Sequence, residues 1–178
     1  MMPRFVWVFA LGAFLTGQAV CQNPRQPMDE YQVKAAVVLN FARFVQWPDD
    51  ATGSADPFAI CVMGRNPFGR TLEGMTDGKS IDGRAFVVRQ VADAHQAAAC
   101  RILFVSSSER LRYRSILQSL HGSSVFSVGD TNDFVSEGGI AGLRLENGKV
   151  RIELNAEAAR ENNLRISSRL MSLAENVK

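Results

Sequence analysis

Phe58-Ala59-Ile60-Cys61-Val62-Met63 is an unbroken apolar run, preceded by Pro57 and closed by Gly64. A run of that length with no polar alternation predicts a strand buried on both faces, and such strands sit in sheets covered by helices on either side. Similar runs recur at 86–91, 102–105 and 125–128. Between the last two, Ser108-Glu109 opens a helix that extends to about Leu120. Upstream, Asp29 can cap a helix over 29–47 whose apolar positions Val33, Val37, Phe41 and Phe44 keep helical spacing, with Pro48 as its stop. A turn region is expected over 49–56. Downstream, runs at 142–146 and 149–154 flank Asn147-Gly148, a strong hairpin signal. Asn155 caps a helix from 156 to about 162, and Ser167 or Ser168 caps a last one through 175. Helices alternating with central strands, then an antiparallel hairpin, predict a single-domain α/β sandwich. Its sheet is mixed parallel and antiparallel, of about six strands, with helices on its faces.

With 178 residues, 46% apolar and 21% charged, the chain can close one sizeable core and needs no second. Three cysteines are too few for a disulfide scaffold. A net charge of +2 with no basic block gives no electrostatic footprint for nucleic acid. Residues 1–21 combine Arg4, an apolar run over 5–15 and small residues after it, the pattern of a secretory signal peptide cleaved after Ala19 or Cys21. The run is too short to span a bilayer, and Val20 fits a lipoprotein start badly. Residues 22–28, with Pro24 and Pro27, read as a linker before one domain at 29–178. The expectation is an exported, soluble protein. Export would let Cys61 and Cys100 pair, since both lie on or beside strand-like runs; two buried free thiols are the alternative.

The candidate chemistry is thin. Gly64-Arg65-Asn66-Pro67-Phe68-Gly69-Arg70-Thr71 follows a strand and matches a phosphate-binding loop, except that Arg70 stands where lysine belongs. That loop works by aiming successive N–H groups at phosphate, and Pro67 removes one, so a strand-to-helix turn is the better reading. His95 and His121 show no metal-ligand spacing, and Ser106-Ser107-Ser108 reads as a strand exit and helix cap. Asp130 closes the run that ends at Val128-Gly129, at a strand's carboxyl end, where open α/β sheets bind ligands. It is the one candidate ligand contact. No catalytic residue, metal site or cofactor is indicated. On the hairpin, Arg151 and Glu153 share a face opposite Ile152 and Leu154, and Phe68 with Arg70 offers an aromatic-plus-arginine pairing. These four are the candidate partner contacts.

Tyr31-Gln32-Val33-Lys34-Ala35-Ala36, followed by Leu39-Asn40-Phe41-Ala42-Arg43-Phe44-Val45-Gln46-Trp47-Pro48, resembles the opening signature of the YfiR/HmsC-like family of exported bacterial proteins. Within it, Tyr31, Lys34, Asn40, Phe41, Trp47 and Pro48 carry the likeness, mainly as structural residues. The likeness continues through Ile60 to Gly64, Pro67-Phe68-Gly69, Cys100 to Ser106, Gly138-Gly139, Arg151 to Asn155 and Ile166 to Leu170. It implies a periplasmic mixed α/β sandwich bridged at Cys61 and Cys100. It also implies a repressor that binds the periplasmic sensing domain of an inner-membrane diguanylate cyclase, lowering cyclic di-GMP and biofilm formation. In YfiR-type systems an outer-membrane OmpA-like lipoprotein sequesters the repressor, and homodimers are expected. YfiR-type members carry a second cysteine pair in the later half, and this chain has no cysteine after Cys100. A non-enzymatic regulator acting through protein contact is therefore the leading expectation, and a periplasmic small-ligand-binding protein is the alternative.

Overall fold

In the computed structural model, residues 29–48 and 56–177 are described. The expected signal segment and linker, Cys21 and nearly all of the turn expected at 49–56 lie outside them. In chain order the elements are α1 (Glu30–Phe44), β1 (Val45–Gln46), β2 (Phe58–Met63), α2 (Thr71–Thr76), β3 (Ser80–Ile81) and β4 (Arg84–Val91). Next come α3 (Ala94–Ala97), β5 (Ile102–Val105), a 3-10 turn (Ser107–Arg112), α4 (Tyr113–Ser119), β6 (Phe126–Gly129) and β7 (Ala141–Glu146). The chain continues with β8 (Lys149–Leu154), α5 (Ala156–Glu161), β9 (Arg165–Ile166), α6 (Ser168–Leu173) and β10 (Asn176–Val177).

Every side chain of β2 is buried, as an uninterrupted apolar strand requires. Ile60 and Val62 join one apolar layer with Phe104 and Phe126, while Cys61 and Met63 join the other with Leu103 and Val105. The strand lies between two parallel neighbours, β4 and β5, and the order β4-β2-β5-β6-β7 is parallel throughout. This is a doubly wound order that starts in the middle and reverses once, between β2 and β5. Helix α1 and residues of α2, α5 and α6 cover the first layer; α3 and α4 cover the second. β8 closes back antiparallel on β7, so the sheet is mixed, as the hairpin signal indicated. The short strands β3 and β10 extend its two ends to eight strands, and β1 pairs with β9 in a separate ribbon.

Local chemistry explains where the elements stop. Asp29 is the N-cap of α1, and its N–H donates to Gln32 Oε1 at 3.3 Å. The helix ends at Phe44, short of the expected 47, because Val45 and Gln46 turn extended and pair with Ile166 and Arg165. A β-branched residue on the approach to Pro48 favours that change. The helix expected over 108–120 is instead a 3-10 turn and an α-helix, joined at Arg112 with φ −112° and ψ 0°. Asn147 and Gly148 both take positive φ, +51° and +73°, as a tight hairpin turn needs. Asn155 and Ser167 cap α5 and α6 as expected. After β6, Phe134 folds inward over Gly129 and Gly139. A Cβ would come within 2.3 Å of that ring at Gly129 and within 2.2 Å at Gly139.

Candidate functional site

The carboxyl ends of the parallel strands form one rim of the molecule, and the loop at 64–71 lies on it. Gly64 takes φ +85°, and a Cβ there would meet Ser108 Oγ at 2.4 Å and Glu109 Cγ at 2.8 Å. The Arg65 N–H donates to Ser108 Oγ at 2.9 Å, and the Phe68 N–H donates to Asn66 Oδ1 at 2.9 Å. Two of the loop's backbone donors are thus engaged within the chain, and the loop is a strand-to-helix turn from β2 to α2. Ser106 N–H also donates to Met63 O at 3.0 Å, so the reversal point between β2 and β5 is closed by its own loops. Beside it lies a shallow cleft of about 320 Å³, lined by Gly64, Gln90, Val91, Ala92, Gln96 and Glu109. Glu109 is held there by Arg112 at 2.9 Å.

The rim's charged core lies one strand further along. β6 is buried throughout, and Asp130 follows it with a side chain only 5% exposed. Helical spacing puts Tyr31 and Lys34 on the same face of the first turns of α1, directed at that carboxylate. Tyr31 Oη donates to Asp130 Oδ2 at 2.9 Å, and Lys34 Nζ, 2% exposed, donates to the same oxygen at 3.4 Å. Lys34 also pairs with Glu30 Oε1 at 2.5 Å and lies 5.0 Å from the Tyr31 ring centroid. Burial, then the bond to Asp130 and the negative charges of Asp130, Glu30 and Asp29, push the Tyr31 phenol well above its usual range. Burial likewise raises Tyr113, although its contact with Thr131 opposes the shift. Phe68 packs edge-on to Tyr31 at 5.8 Å and to Phe104 at 4.7 Å.

The structure thus brings Tyr31 and Lys34 of the signature together with Asp130, which the sequence singled out for a different reason. It adds Glu30 and Tyr113. Glu30 was within reach of the sequence as an i, i+4 partner of Lys34; no local pattern points to Tyr113. Phe68 is 3% exposed, a core residue beneath the rim, while Arg70 is exposed beside it. Of the other signature residues, Phe41 packs on Phe126 at 5.1 Å, and Asn40 and Pro48 are exposed. Trp47 stands edge-on to Phe58 at 5.1 Å and donates to Arg101 O at 3.3 Å. On the hairpin, Arg151 binds Glu175 at 2.7 Å, and Glu153 lies 3.9 Å from Arg144 Nε. Cys61 and Cys100 form a disulfide. Among the described residues no three potential ligands gather to hold a metal ion, and no helix is long and apolar enough to cross a membrane.

A family model described as YfiR/HmsC-like matches residues 31–175, from the tyrosine of the buried cluster to just past the last helix. The chain belongs to the YfiR/HmsC-like family. In this family member the signature's Tyr31 and Lys34 are the groups that meet Asp130. Among curated proteins nothing matches. Among solved structures, the chain is similar to a conserved domain protein of Vibrio cholerae O1 biovar El Tor at 10% identity and TM-score 0.57, covering 83% of this chain and 60% of that one. It is also similar to an ABC domain of Streptococcus pneumoniae in complex with L-Trp, at 11% identity and TM-score 0.54, covering 84% and 60%. This YfiR/HmsC-like chain therefore spans about 60% of the length of either structure. At such identities the likeness is one of fold.

Proposed function

We propose that the protein is a non-enzymatic periplasmic regulator that binds and represses the periplasmic sensing domain of an inner-membrane diguanylate cyclase. The observation that carries this reading is membership of the YfiR/HmsC-like family over residues 31–175. A buried disulfide between central strand β2 and the segment leading into β5 supports a protein made for an oxidising compartment, as does the signal-peptide pattern of residues 1–21. Repression of this kind needs only that the regulator bind one conformation of its target more tightly than another. An outer-membrane OmpA-like lipoprotein that sequesters the regulator, and a homodimer, complete the proposal.

The candidate contacts are Arg70, exposed at the rim, and the Arg151–Glu153 face of β8, where both side chains are engaged within the chain. Phe68 serves by supporting the rim from beneath. Deleting the gene should raise cellular cyclic di-GMP only in cells that keep the cognate cyclase. An unchanged nucleotide level in that comparison removes the proposal. Pull-down of the mature protein from membranes should recover the cyclase, and Glu153→Lys should weaken that recovery. Undiminished recovery would move the contact away from β8.

A further inference from the structure

Asp130 uses only one of its two oxygens. Oδ2 accepts from both Tyr31 Oη and Lys34 Nζ, while Oδ1 is buried with no hydrogen-bond partner among the described residues. A buried carboxylate oxygen that has lost water without gaining a donor is costly to keep, so it marks a place where a donor belongs. The surrounding charge says which kind. Among the described residues, the carboxylates of Glu30 and Asp130 share the one ammonium of Lys34, with Asp29 capping α1 beside them, so this part of the cluster carries more negative than positive charge. Its wall is aromatic: Tyr31 already has Lys34 over its ring at 5.0 Å, with Phe68 edge-on behind it. A cation carrying N–H groups meets all three conditions, because it donates to the free oxygen, balances the charge and packs on aromatic rings.

We infer that the carboxyl end of β6 is a binding site for a small organic ammonium ion, with Asp130 Oδ1 as the acceptor and Tyr31 as the aromatic wall. The site is independent of the proposed repression, since it can be tested on the purified protein with no cyclase present. The experiment titrates the mature protein with methylammonium, putrescine and tetramethylammonium at constant ionic strength, read by calorimetry and thermal shift. Tetramethylammonium keeps the charge and the affinity for rings but has no N–H.

Methylammonium and putrescine should bind saturably and raise the melting temperature, with tetramethylammonium weaker by about tenfold or more. Asp130→Asn, which keeps the shape and removes the charge, should abolish the difference. Responses no larger than that to sodium chloride would mean that water alone fills the site, and would overturn the inference. Undiminished amine binding by a folded Asp130→Asn protein would overturn it too. If that variant does not fold, the methylammonium-to-tetramethylammonium ratio on the unaltered protein decides, and a ratio near one overturns the site.

Discussion

Gly139 and Gly148 are both glycines for physical reasons, and the reasons differ. At Gly139 a Cβ would lie 2.2 Å from the Phe134 ring and 2.8 Å from the Phe134 carbonyl oxygen. Gly139→Ala should therefore cost about 1–3 kcal/mol through overpacking, seen as a lower urea midpoint. A second change, Phe134→Leu, should recover part of that loss, since the two sites share one contact. At Gly148 a Cβ meets nothing within 4 Å, so only its φ of +73° matters. Gly148→Ala should then cost about 1 kcal/mol, through backbone conformation alone. Tyr31 gives a prediction with a sign. Its folded pKa lies above the usual 10, so the fold favours the protonated phenol. The stability it contributes is complete below about pH 10 and declines as pH rises beyond that. Urea midpoints at about pH 8 and about pH 10.5 should differ less in Tyr31→Phe than in the unaltered protein. The raised Tyr113 phenol sustains the remainder of the decline.

Elements with strong local signals were legible, and those made by tertiary pairing were not. Six apolar residues in a row announced β2, and all six are buried. The turn residues Asn147 and Gly148 announced the hairpin, with both φ values positive. β9 and β10 are two residues each, too short to show a period, and exist because β1 and β8 offer them an edge. β1 itself took residues from the expected helix for the same reason. The candidate site divides in the same way. Asp130 was legible from its place at a strand end, and Tyr31 with Lys34 only as part of the opening signature that carries the family resemblance. That these three meet depends on how α1 crosses the sheet, which no local pattern encodes. Phe68 shows the converse: an aromatic in a loop looks accessible until its neighbours Tyr31 and Phe104 are known. At this scale, Asn155→Ala should remove the α5 cap, whose side chain accepts from the Ala158 N–H at 2.9 Å. A loss of about 1 kcal/mol in chemical denaturation is expected.

For the whole molecule, the disulfide joins residues 39 apart, and both half-cystines are buried, Cys61 fully and Cys100 to 4% exposure. Replacing both by alanine should lower stability by about 3–4 kcal/mol through a freer unfolded chain. The melting temperature should fall by about 10 °C, and gentle reductant should act slowly on the native protein. A midpoint identical with and without the bond would mean that the unfolded chain is held together by other means. The sheet order carries one more consequence. β2 has both of its partners, β4 and β5, later in the chain. Synthesis delivers residues from the amino end, so this apolar ribbon emerges with α1 ready to cover one face but before either strand that will flank it or anything that covers its other face. Until Val105 has followed, that ribbon is a ready surface for a holding chaperone or for a second nascent copy. Vectorial delivery thus makes the early chain, more than the finished one, the form of this protein most exposed to misassembly.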